Sequence, residues 1–150
     1  EPSIQMYIAE KSEALRELYV SAYSYAATAN FIHQMVTDKL AELFRATHPQ
    51  YTRQDFYELE LATSGMVRSF MARKCDRNFT MEQKLRRFLS CGMTIFDVAE
   101  EKQQQVIDRV LEMDLKSVAD QVVADAIRQA DEQYQEAERK GKAIEAARNG

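Results

Sequence analysis

Glycine and proline are scarce in this chain: four glycines and two prolines in 150 residues, at Gly65, Gly92, Gly141, Gly150, Pro2 and Pro49. Short strands joined by tight turns need both, so the shortage excludes a strand-rich fold and leaves helices as the default. Histidine and cysteine are equally thin, with two of each. Cys75 and Cys91 lack a CxxC spacing or a matching histidine pair, which excludes a zinc site or a disulfide scaffold; the reduced thiols of a cytoplasmic protein are expected. No apolar run approaches the roughly 18 to 20 residues of a membrane-spanning helix, and no signal-peptide pattern opens the chain, so no membrane association is expected. Positive charge is not in surplus either. The net charge is −4, whereas a phosphate-binding face needs clustered lysine and arginine, so these residues alone are not expected to hold DNA.

What is present is helical periodicity, over a length that suits one domain burying about two thirds of its unfolded surface. Ile4 to Ile8 read as the last turns of a helix, and because the chain opens Glu1-Pro2 and enters this pattern at once, a further segment upstream is expected. Ser12 offers a cap for a helix carrying Leu15, Leu18, Tyr19, Ala22 and Ala26 on one stripe. Thr28 is the expected cap of the next, with Phe31, Ile32, Met35, Val36, Leu40 and Leu43 inward, ending near His48-Pro49. Thr52 with Asp55, and Thr80 with Gln83, form capping-box patterns for helices running to about Arg73 and about Phe96. The first of these is apolar on most faces, as a central helix is, and slim between Ala62 and Gly65. Asp97 and Glu100 suggest a capped short helix bearing Val106, Ile107, Val110 and Leu111; Asp114 marks a restart, and the polar tail beyond Asp131 is expected to fray. The expected fold is all-α: one orthogonal bundle of six to seven helices across residues 1–150, without an internal repeat or linker.

Catalytic patterns are missing. A di-metal centre in a bundle needs Glu-x-x-His pairs on two helices, but His33 follows Asn30 and His48 follows Arg45. Cys91 lies mid-helix beside Gly92 with no cue for an adjacent base, and reads as a small core residue. Glycine loops that cradle phosphate are absent as well. The chain reads as non-enzymatic, with no cofactor.

Aromatic and sulfur side chains are the surplus. Tyr19, Tyr23, Tyr25, Phe31, Met35, Phe56, Tyr57, Met66, Phe70, Met71 and Phe88 fall at inward or near-inward positions. They either fill a core or wall a cavity beside Thr63-Ser64-Gly65 that takes a small apolar or aromatic ligand. Arg68 and His33 are the polar outliers. Arg68 reaches an acid such as Glu58 or Glu60 or snorkels to water, or else one of the two meets an anionic or acceptor group of a ligand. The helix from Met81 to Phe96 is two-faced, with Leu89, Met93 and Phe96 on its second face. Val118, Val122, Ala126 and Ala130 form a narrow seam suited to close helix packing.

The segment ELYVSAYSYAATANFIHQMVTDKLAELF, followed by YELELATSGMVRSFMARKCD and FTMEQKLRRFL, resembles in order and texture the C-terminal domain of TetR-family transcriptional regulators, over roughly Glu10 to Ile127. The chain departs from that pattern with Ala26-Ala27 where relatives often turn with a proline, and with its extended polar tail. The resemblance implies an effector-binding and dimerisation domain of a repressor. Its homodimer would be held by a four-helix bundle, for which the faces bearing Leu89, Met93 and Phe96, and Val118, Val122, Ala126 and Ala130, are the candidates. An unidentified small-molecule effector between the central helices would shift the dimer and so control DNA binding by an upstream helix-turn-helix domain. A ligand-free structural or interaction bundle is the alternative.

Overall fold

Seven helices follow one another among the described residues of the computed structural model: α1 (Pro2–Lys11), α2 (Glu13–Ala22), α3 (Ala26–Phe44), α4 (Arg53–Ala72), α5 (Met81–Ile95), α6 (Glu100–Glu112) and α7 (Leu115–Arg148). The structure describes the backbone of residues 2–148, with side chains through residue 142 and that of Ile144; Glu1, Asn149 and Gly150, the ends of the expected domain and tail, lie outside the described residues. The all-α bundle implied by the scarcity of glycine and proline is what forms. Apart from an isolated bridge between Asp76 and Phe79, no extended pairing occurs among the described residues.

Local chemistry sets most helix starts. The Ser12 hydroxyl accepts the Leu15 N–H at 3.1 Å, and both Thr52 with Asp55 and Thr80 with Gln83 close full capping boxes. Asp114 restarts the chain by accepting the Ser117 N–H at 3.1 Å, at the head of α7. Two starts differ from expectation. Tyr25, not Thr28, stands at the cap of α3, without a side-chain acceptor; Ala26 and Ala27 are strong helix formers and carry the helix back past the threonine. Asp97 does not cap α6, which begins after an uncapped Ala99. Its φ of 52° instead ends α5 in the left-handed region, where aspartate is tolerated.

α1, α2, α3 and α5 all pack on α4, as a helix apolar on most faces requires. Towards the C-terminal end of α4, Val67 and Met71 join Met6 and Ala9 of α1, Leu85 and Phe88 of α5 and Leu115 of α7 in one apolar cluster. Towards its N-terminal end, Phe56 joins Ala41 of α3 and Phe96 in a second. Phe96 stacks flat on Phe44, with ring centroids 4.5 Å apart and planes 9° apart. That corrects the placement of Phe96 on a subunit interface: at the end of α5 the ring folds back onto α3 and is buried in its own chain. Gly65 departs as well. A Cβ there would meet nothing within 4 Å, so this glycine faces outward and does not thin α4 towards a cavity.

α7 spans 34 residues, about 50 Å at the usual helical rise. Its first turns lean on α1 through the buried Leu115 and Ala119, and Lys11 of α1 pairs with Asp120. Val118 and Val122 stay 44% exposed, and every residue from Ala126 to Lys142 is exposed. The seam drawn from the sequence is therefore an open face. The polar residues beyond Asp131 continue α7, with Glu136 to Lys140 and Glu138 to Lys142 paired at 2.6 Å on successive turns.

One buried cation ties the ends of three helices together. Lys84 is fully buried; its ammonium donates to Glu10 of α1 at 2.7 Å and to the Arg73 carbonyl at the end of α4, and lies 5.8 Å from the centre of the Phe79 ring. Burial alone would raise the Glu10 carboxyl, but the Lys84 ammonium and the Cys75 N–H outweigh it and hold the acid below its ordinary range. Breaking such a pair strands a buried charge and a carbonyl. Lys84→Ala is expected to lower stability by about 3 kcal/mol, and Lys84→Met, which keeps the packed stem, by less. Urea denaturation checks both; an Ala variant as stable as the parent would show that the pair does not hold the bundle.

Candidate functional site

The buried positions of α4 are Phe56, Glu60, Ser64, Val67 and Met71. Steps of four, four, three and four residues trace one helical stripe. It is apolar at both ends, where the two clusters form, and polar in the middle. α3 faces this gap with His33 and Thr37, also four residues apart on one face. The result is a polar layer between two apolar clusters, close to where the sequence placed its slim stretch.

Glu60 is 2% exposed, and its carboxylate lies 3.4 Å from Nδ1 of the His33 ring. Tyr57, one turn earlier on α4, meets that ring edge-on at a centroid distance of 6.3 Å. The Thr37 hydroxyl donates to the His33 carbonyl at 2.6 Å, and the Ser64 hydroxyl to the Leu61 carbonyl at 3.2 Å. Each hydroxyl thus uses its proton within its own helix and keeps lone pairs to offer. Burial pushes the Glu60 carboxyl up to about 7, and no neighbouring charge among the described residues contributes to the shift. Desolvation acts without a cation to oppose it. Near neutral pH such a group serves as hydrogen-bond donor or acceptor, a property that clusters at functional sites.

The residues singled out from the sequence do not gather around one hollow. Tyr57 borders the polar layer beside His33. Tyr19, Tyr23, Met66, Phe70, Met71 and Phe88 pack in or against the first apolar cluster, and Phe56 lies in the second. Phe31 and Met35 correct the expectation of an inward face: they are 67% and 41% exposed, because His33 and Thr37 take the inner side and residues two positions away point roughly opposite. Tyr25, expected inward, stands at the cap of α3 and is exposed as well, and so is Arg68. Leu89 packs against the first cluster and Met93 is half-buried. Glu60 was missed as a site residue and named only as a partner for Arg68. The signal for it was its step with Phe56, Ser64 and Val67.

Cavities open elsewhere. One of about 460 Å³ lies between α5 and α6 beside Arg86 and Arg87; another of about 360 Å³ lies between α1, α7 and the loop joining α4 to α5. Neither is lined by a ligand residue drawn from the sequence. No protein-family model, no curated protein and no solved structure matches the chain.

The Glu60 shift has a sign that stability measurements can read. An unfolded glutamate titrates near 4.5 and the folded one near 7, so within that window the folded chain holds a proton the unfolded chain has lost. Stability therefore falls as pH rises from about 4.5 to about 7 and levels off above it. Glu60→Gln removes this slope. At pH 8 the variant is expected to be more stable than the parent by on the order of 3 kcal/mol, with the gap closing towards pH 4.5. Urea denaturation across this range is the check; a gap that does not change with pH would mean that burial does not hold the carboxyl up.

Proposed function

We propose that the chain is the effector-sensing and dimerising domain of a TetR-like transcriptional regulator, acting on DNA through a helix-turn-helix domain and catalysing no reaction itself. The observation that carries the sensing half of this reading is the polar layer: Glu60 is buried beside His33, with no lysine or arginine paired to it among the described residues, between two apolar clusters. Its effector is a small aromatic or apolar molecule with a hydrogen-bond donor, since Glu60, Thr37 and Ser64 offer acceptors and Tyr57 and His33 offer ring faces. The dimerising half is supported by the open seam of α7 at Val118, Val122, Ala126 and Ala130. A ligand-free interaction bundle is the second reading, favoured by the packing of most of the aromatic residues into two clusters.

Indole and benzofuran separate the two, because they share a shape and differ in one N–H donor. Indole is expected to raise the melting temperature by several degrees at saturation and benzofuran by less, with the difference lost in Glu60→Ala. Equal shifts from both compounds, or shifts that survive the substitution, would favour the ligand-free bundle. For the seam, Val122→Glu is expected to give monomers of unchanged helicity in sedimentation. A variant that sediments like the parent would remove this face of α7 from the interface.

A further inference from the structure

We propose a second binding site, for a small uncharged molecule with an apolar body, in the cavity between α1, the loop joining α4 to α5, the start of α5 and the first turns of α7. The cavity holds about 360 Å³, a volume within the range of small-ligand sites. It shares no residue with the polar layer around Glu60. Tyr7, Met81, Cys75 and Ala119 form its walls, and contact with them removes an apolar body from water. None of the four carries a charge near neutral pH. Burial, ahead of every other cause, pushes both the Tyr7 phenol and the Cys75 thiol up from their ordinary values.

The ionic groups of the rim oppose a charged head group of either sign, because each already has its opposite. On the inner side Lys84 donates to Glu10 at 2.7 Å, and the Cys75 N–H donates to the same carboxylate oxygen at 3.0 Å. At the mouth Asp120 pairs with Lys11 and, at 3.1 Å, with Lys116. Asp114 acts on Lys116 as well, and on the Tyr7 phenol. Three ammonium groups thus stand against three carboxylates. An entering carboxylate competes with Glu10, Asp114 or Asp120 for ammonium groups they already hold, and an entering amine competes with the lysines for the acids. Either charge gives up water without gaining a partner that is not already paired, and breaking a pair strands the group left behind. An alcohol leaves every pair closed, with its hydroxyl at the mouth, where the Lys116 side chain is 75% exposed and water has access.

Cys75 supplies the readout, because it lies on the cavity wall. The probes are 1-octanol, octanoate and octylamine, which share a chain length and differ in charge. Alkylation of the intact chain by iodoacetamide is followed by peptide mass mapping, which separates Cys75 from Cys91. Octanol is expected to slow alkylation at Cys75 several-fold and leave Cys91 unchanged, while the two charged probes at the same concentration protect Cys75 less. Met81→Ala removes part of a wall and Ala119→Leu fills the space; each should raise the half-protecting octanol concentration about fivefold. Met81 is half-buried whereas Ala119 is fully buried, so Met81→Ala decides if the larger side chain at 119 prevents folding. The proposal is overturned if octanol leaves the Cys75 rate unchanged, if either charged probe protects as well as octanol or better, or if Met81→Ala responds as the parent does.

Discussion

The burial of Glu60 between α3 and α4 constrains the rest of the bundle. A carboxylate withdrawn from water is costly unless a cation or several donors meet it, and here an imidazole at 3.4 Å is the partner. Lys84 shows how the same chain treats a buried charge that serves structure alone: an acid, a backbone carbonyl and an aromatic ring surround it. The two groups are opposite cases. Lys84 is saturated and fastens the ends of α1, α4 and α5 together. Glu60 meets a single imidazole and sits where an apolar side chain would pack, in the middle of the domain.

How far the fold was legible follows from the range of each signal. Capping at Ser12, at Thr52 with Asp55 and at Thr80 with Gln83 acts over three residues, so sequence spacing contains all of it. The helix starts at Ala26 and Glu100 have no side-chain cap; nearby Thr28 lies inside the first turn of α3, and Asp97 ends α5 in the left-handed region. Periodicity identified α4 as the central rod, since a helix apolar on most faces has few other places to go. It was less decisive for α3. Phe31 and Met35 compete with His33 and Thr37 for the inner side, and hydrophobicity favoured the wrong pair. What decided it was the partner stripe on α4, where Glu60 and Ser64 present polar atoms to match. A single strand of sequence does not show which faces meet, so the polar layer became visible only with both helices in place.

α1 and α7 form a second frame, largely separate from α3. α7 rests on α1, and the Lys11–Asp120 pair and the Leu115–Ala119 face hold that contact. Leu115 also enters the cluster containing Val67 and Leu85. The head of α7 is therefore fixed to the core, whereas its remaining length projects from it. A helix some tens of ångströms long gains little from its own propensity and ion pairs. Val118, Val122, Ala126 and Ala130 along its exposed side are apolar area that a second helix would remove from water.

The polar layer also determines which piece of the bundle can respond to it. α3 enters the second apolar cluster through Leu40, Ala41 and Phe44, all in its C-terminal half. Its N-terminal half supplies no residue to either cluster; the His33–Glu60 contact holds it within the bundle, and Arg53 binds Asp38 and Gln34 at the surface. Exposed ion pairs contribute at most about 1 kcal/mol. A group that binds Glu60, or a proton that joins it, thus acts on the stretch of α3 with the weakest apolar anchoring, while Phe44 stacked on Phe96 keeps the other end in place. A displacement of the N-terminal half of α3 would leave the cluster around Met71 and Leu85 intact, because α3 contributes no residue to it.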